Sequence, residues 1–241
     1  MKACKILLLI IALAVLPGCA LLDVYFLPPP EDTAQELFEA GDEAMRQKEF
    51  DDAAEYFTML RDRYPFSPYT PQAELMLGDA YYLNEEFSQA EEAYKDFESL
   101  HPGHDQIDYV IFQIGMSNYK QFSSVDLPQE NSGEALEYFT RLVEGYPDSE
   151  YVEEARKAII KSRLYLAEHE IFVADFYWRA ERYGSAYRRY SYVVDNFSDL
   201  PEVREYAEKR AELSYLRYRE QDSNAERERI EGSWKQWFDW L

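Results

Sequence analysis

LFEAGDEAMRQKEFDDAAEYFTMLRDRYP (Leu37–Pro65) and ELMLGDAYYLNEEFSQAEEAYKDFESLHP (Glu74–Pro102) align at a constant offset of 37 residues. Gly41 falls on Gly78, Ala53 on Ala90, Phe57 on Tyr94, Leu60 on Phe97 and Pro65 on Pro102. A third copy opens at the same offset with Ile111, Ile114 and Gly115. It resumes at Ala135, Phe139, Leu142 and Pro147, 45 residues beyond their counterparts. The extra residues fall near QFSSVDLPQENS (Gln121–Ser132), whose polarity and proline predict a loop. A fourth, weaker copy holds Ala174, Tyr177, Ala186, Tyr190 and Val193, with Ser198 at the proline position. The stretch Ser149–Glu181 lacks Gly and Pro and predicts one long helix. A fifth, degenerate copy covers Pro201 to the C-terminus.

A period in this range means stacked supersecondary units, none of which can bury its apolar face alone. The small residues mark where two antiparallel helices approach closely, the aromatic fills the groove beside them, and the proline ends the second helix. This pattern resembles the tetratricopeptide repeat. Thr33-Ala34-Gln35-Glu36 reads as a capping box for the first helix, and Thr70-Pro71 as an N-cap followed by proline at the first helical position. No segment sustains the period-two alternation of strands. The expected fold is all-α, a right-handed tetratricopeptide-repeat solenoid of about five helix-turn-helix repeats.

Upstream of the repeats the sequence changes character. Lys2 and Lys5 precede an uncharged apolar run, Ile6–Leu16, typical of a secretory leader. Leu16-Pro17-Gly18-Cys19 resembles a bacterial lipobox, which predicts a diacylglyceryl group and an N-acyl chain on Cys19 and no other cofactor. Removal of the leader discards Cys4 and leaves Cys19 without a disulfide partner. Ala20 after the lipidated cysteine is compatible with export to the outer membrane. Pro28-Pro29-Pro30 predicts a semi-rigid extended tether. The expected organisation is a leader at 1–18, a lipidated N-terminus and tether at 19–32 and repeats 1 and 2 at 33–104. Repeat 3 with its inserted loop follows at 105–148, repeat 4 with a long first helix at 149–200, and repeat 5 with an aromatic C-terminal cap at 201–241.

The net charge of −22 excludes the basic stripes of nucleic-acid binders. Catalytic chemistry is sparse: there is no phosphate loop and no nucleophile elbow. His101 and His104 sit in an inter-repeat turn with Pro102 and Gly103, which makes a metal site there a poor expectation, and His169 stands alone on a charged helix. The sequence argues for binding rather than catalysis. Phe66, Tyr69, Tyr82, Tyr109 and Tyr119 are the candidates for contacting an extended peptide or substrate through ring faces and hydroxyls; Tyr81 and Asn118 are further candidate liners, although Tyr81 and Tyr82 cannot both point the same way, and inter-helix core is the alternative for each tyrosine. Arg188 and Arg189, adjacent in an acidic chain, are candidates for a partner's carboxylates, with internal Glu pairing as the alternative. Trp234, Trp237 and Phe238 fall at helical spacing near the C-terminus, as a self-packing cap or a docking stripe.

The stretches RYPFSPYT (Arg63–Thr70), AELMLGDAYY, FESLHPGHDQIDYVIFQIG and LVEGYPDSEY together resemble the BamD-type family of outer-membrane β-barrel assembly lipoproteins, from the lipobox through about Ser198. The resemblance implies a non-enzymatic scaffold, lipid-anchored at the periplasmic face of the outer membrane. It also implies partners: a BamA-like barrel protein contacted through a POTRA domain, other assembly lipoproteins, unfolded outer-membrane proteins, and the membrane through the anchor. Arg189 sits where the family has an arginine suited to the POTRA contact. The sequence departs from the family after Ser198. A different periplasmic tetratricopeptide lipoprotein, serving as a cell-envelope or secretion adaptor, is the alternative reading.

Overall fold

A computed structural model describes residues 32–238, with side chains through 232. The leader, Cys19 and the Pro-rich tether lie outside the described residues, as do the side chains of Trp234, Trp237 and Phe238. The described residues are helical and contain no strand. They divide into two compact units, one ending at Thr70 and the other beginning at Pro71.

The first unit is an antiparallel pair, α1 (Ala34–Gln47) and α2 (Phe50–Arg63). The capping box forms as the sequence predicts. The Thr33 hydroxyl accepts from the Glu36 amide at 3.2 Å, and the Thr33 amide donates to the Glu36 carboxylate at 2.8 Å. Two of the orphan donors of the first turn are thereby satisfied.

The second unit holds α3 (Thr70–Leu83), α4 (Phe87–Leu100), α5 (Ile107–Lys120), α6 (Glu130–Gly145), α7 (Val152–Arg179), α8 (Tyr183–Asn196) and α9 (Pro201–Phe238). From α4 to α9 each helix packs on the next, and α5 with α7 and α7 with α9 also touch. Alternate neighbours in contact are the signature of stacked helix pairs.

The aligned positions explain the packing. Ala53, Ala90, Ala135 and Ala186 are completely buried, as are Leu60, Phe97, Leu142 and Val193. A Cβ placed on Gly41, Gly78 or Gly115 would lie 2.5, 2.6 or 2.7 Å from the ring of Phe57, Tyr94 or Phe139. Glycine is required there because the ring occupies the space of a side chain.

Within the helix pairs, three turns share one geometry. Lys48, Glu85 and Glu181 adopt left-handed backbone at φ 63°, 61° and 58°. The next amide in each, of Glu49, Glu86 and Arg182, donates at 2.9 Å to Ala44, Tyr81 and Tyr177. This closes each first helix in a Schellman-type stop that usually uses glycine. The predicted insertion replaces this turn in the third pair, between α5 and α6.

The connections between pairs also repeat. The amides of Tyr64, His101, Tyr146 and Phe197 donate to the carbonyls of Leu60, Phe97, Leu142 and Val193 at 2.8–3.0 Å. Their own carbonyls then accept from the residue three further on: Ser67, His104, Ser149 and Leu200. All four first positions carry a ring. The Thr70 hydroxyl donates to Tyr64 O at 2.6 Å and braces the first of these connections.

The long helix over 149–181 appears as α7, 28 residues. The expectation of a fifth helix pair is corrected: residues 201–238 form one continuous helix of 38 residues. No Gly or Pro interrupts Glu202–Glu231, so nothing in the sequence breaks the helix for a turn. Ala207, Ala211 and Ser214 are buried, whereas Glu205, Glu208, Lys209 and Glu212 are exposed, as are Leu213 and Leu216.

Candidate functional site

Two carboxylates tie successive pairs together in the second unit. Asp79 on α3 accepts from the Tyr94 hydroxyl of α4 and the Tyr109 hydroxyl of α5, both at 2.6 Å. Burial pushes the Asp79 carboxyl up, against the opposing pull of the two hydroxyls. Burial, then the neighbouring Asp79 charge, pushes both tyrosines up as well.

Asp175 on α7 repeats the device, accepting from Tyr190 of α8 and, at 3.1 Å, from Tyr206 of α9. Arg210 completes this cluster. Its guanidinium donates to the Tyr190 hydroxyl at 3.2 Å and lies 4.4 Å from the centre of the Trp178 ring. Sequence reasoning missed both clusters, although a signal existed. Asp follows the small residue in both clusters (Gly78, Ala174) where the groove ring is tyrosine, but Asp42 also follows Gly41 where the ring is Phe57, so only Asp and tyrosine together mark the cluster.

Tyr82, Tyr109 and Tyr119 are brought together on one core cluster of the second unit, each half-buried. Tyr82 packs edge-on against Phe87 at 5.4 Å, and Tyr109 lies 5.5 Å from Tyr151. Tyr119 stacks on Tyr165 at 6.0 Å, and Phe122 of the inserted loop stacks on the same ring. Each ring therefore spends one face inside the fold. Tyr81 is likewise half-buried against this cluster. Asn118 is corrected from a surface liner to a core residue. It is 1% exposed, and its amide donates to Ile114 O at 3.1 Å.

Arg188 and Arg189 are exposed on α8. Arg189 donates to both carboxylate oxygens of Glu170 at 2.7 and 2.9 Å, and Arg188 donates to Ser185 Oγ at 3.1 Å. The internal pairing left open by the sequence is present, and any external carboxylate must compete with Glu170 for Arg189.

In the first unit Tyr69 is half-buried against the Phe38 ring at 5.5 Å, whereas Phe66 is 97% exposed. Tyr64 donates its hydroxyl to Asp32 O at 2.7 Å.

The histidines take structural places. His101 pairs with Glu74 at 2.6 Å and packs on Phe97, as does His104. His169 Nδ1 lies 2.6 Å from Val125 O and pins the inserted loop to α7. Among the described residues no group of His, Cys, Asp and Glu is arranged to hold a metal, and no helix is long and apolar enough to cross a membrane.

Residues 30–230 match the model of the family YfiO, described as outer membrane lipoprotein. The outer membrane protein assembly factor BamD of Vibrio cholerae is 28% identical over 206 residues, spanning 81% of this chain and 84% of that protein. The factor of the same name from Neisseria gonorrhoeae is 24% identical over 183 residues, 72% of this chain and 68% of its own. Among solved structures, the TPR2AB-domain:pHSP90-complex of yeast Sti1 is similar at a TM-score of 0.46 and 15% identity, covering 79% of this chain and 78% of that one.

Proposed function

The chain belongs to the YfiO family of outer membrane lipoproteins, and from that we propose that it is a non-enzymatic scaffold of the outer-membrane protein assembly machinery. The observation that carries the reading is the family match across residues 30–230, which takes in all the helix pairs. Relatives aligned over most of their length bear the name of assembly factor. The described side chains support binding over chemistry. Tyrosines, carboxylates and histidines are spent on holding helix pairs together, as in the Asp79 and Asp175 clusters.

In this reading the acyl chains on Cys19 hold the protein at the periplasmic face. A BamA-like barrel protein docks through a POTRA domain on the α8 surface that carries Arg188 and Arg189, and other assembly lipoproteins join the same complex. The half-buried rings of Tyr82, Tyr109 and Tyr119, with Tyr69 on the first unit, offer their remaining faces to unfolded outer-membrane proteins. A guanidinium already ordered by Glu170 loses little side-chain entropy on meeting a partner carboxylate.

Detergent extraction of tagged protein followed by mass spectrometry tests the reading. Co-purification of a BamA-like barrel protein is the expected result, and its absence refutes the reading. Arg189→Glu is expected to weaken that capture at least about tenfold, as truncating a hydrogen-bonded charge pair at an interface does, with helix content unchanged by circular dichroism. Unchanged capture would leave Arg189 as Glu170's partner alone.

A further inference from the structure

The four connections between helix pairs are built on the same hydrogen bonds, and each has a tip two residues past its ring. The tip residues are Phe66, Gly103, Asp148 and Asp199. Three follow the rule that connections stay polar at the surface. The first connection breaks it with a phenylalanine that is 97% exposed. The repeat architecture has no use for this ring, because Tyr64 fills the shared aromatic place and Tyr69 packs on Phe38.

We propose that Phe66 is a second foot on the membrane, inserted at the headgroup–acyl boundary of the bilayer that anchors Cys19. The inference rests on the lipid-anchor reading of that cysteine. The way the chain enters the fold selects this occupant. Asp32 is bound through its carbonyl to the Tyr64 hydroxyl at 2.7 Å, so the tether joins the domain on this same connection. Residues 20–31 are all that separates it from Cys19, a reach of at most ~47 Å when fully extended. The tip therefore stays within the tether's reach of the bilayer.

The local chemistry suits a lipid surface. Pro65 and Pro68 flank the ring, both exposed, and fix the backbone so that little entropy is lost on insertion. Arg63 precedes it and is exposed, in a chain of net charge −22, while Arg61 pairs with Asp62 at 3.0 Å. A cation beside a partly inserted aromatic matches the phosphate layer above the acyl chains. One ring cannot hold a soluble protein on a bilayer. A tethered ring meets the surface at an effective concentration on the order of millimolar, where weak insertion suffices.

The test uses mature lipidated protein with Phe66→Cys carrying an environment-sensitive fluorophore; the diacylglyceryl thioether blocks the Cys19 thiol, and Cys4 leaves with the leader. Glu55→Cys, exposed on α2, is the control position. In phosphatidylethanolamine–phosphatidylglycerol vesicles the label at 66 is expected to shift to the blue and to be quenched by lipids carrying a quencher near the headgroup, while the label at 55 reports water. Flotation with the vesicles is scored in parallel. Protein that floats with a water-exposed label at 66 overturns the proposal and leaves the anchor reading intact. Protein that fails to float removes the anchor reading and the proposal with it. A label shielded only after addition of an unfolded outer-membrane protein assigns the ring to substrate and likewise overturns the membrane contact.

Discussion

At the scale of single residues the decisive chemistry is that of Asp79. Two hydroxyls, of buried Tyr94 and half-buried Tyr109, share this one acceptor oxygen, and an unpaired buried polar group costs about 1–3 kcal/mol. Asp79→Ala is therefore expected to lower unfolding free energy by roughly 2–4 kcal/mol in urea titration. The pH dependence follows from the raised carboxyl. The folded protein holds this proton more tightly than the unfolded chain. Its contribution is full below the unfolded value of about 3.9 and fades as pH rises through the elevated folded value. Asp79→Asn cannot titrate, so its stability relative to the wild type should rise as pH climbs from about 4 toward neutrality. A flat difference across that window would contradict the burial of the charge. None of this is legible in the hydrophobic pattern, because Asp79 sits on a helix position that reads as solvent. Its meaning lies in the hydroxyl on Tyr94 and in Tyr109, a full repeat away.

Helices show a sharper division between the legible and the hidden. Gly78 and Gly133 both lie inside helices, but only Gly78 holds a repeat position. A Cβ at Gly78 would lie 2.6 Å from the Tyr94 ring, while one at Gly133 meets nothing within 4 Å. Gly78→Ala should destabilise by about 1–3 kcal/mol through overpacking. Gly133→Ala should stabilise by roughly 0.5–1 kcal/mol through helix propensity. Thermal melts of the two variants check the opposite signs. The last helix, α9, carries a second expectation. Tyr218 covers Gly184, and Gln221 donates to Glu181 O at 3.1 Å, whereas residues 222–231 are exposed on every side. Truncation after Gln221 should leave the melting temperature of the remainder within about 2–4 °C, the shift expected for roughly 1 kcal/mol in a domain this size. Truncation after Arg210 removes Ser214 from the buried face and should lower it well beyond that. The sequence anticipated a degenerate pair here because its copies thin out gradually. The structure instead continues one helix, since no Gly or Pro interrupts Glu202–Glu231.

Over the whole molecule, electrostatics and repetition act together. A net charge of −22 makes the acidic surface repel itself. Raising salt from about 0.01 M to about 0.15 M shortens the Debye length from about 30 Å to about 8 Å. The melting temperature should rise over that range; a fall would mean that ion pairs such as Arg163–Asp199 outweigh the repulsion. The sequence by itself determined the all-helical class, the repeat positions and the buried small-residue and aromatic sites. Burial within a helix pair is local, and local burial leaves a fixed period. Only the tertiary structure decided which tyrosines are held by Asp79 and Asp175, that Arg189 pairs with Glu170, and that Phe66 alone among the tips is a bare ring. Those outcomes join residues 15 to 35 positions apart across variable connections, or depend on what fails to pack against a side chain, and no periodic signal encodes either.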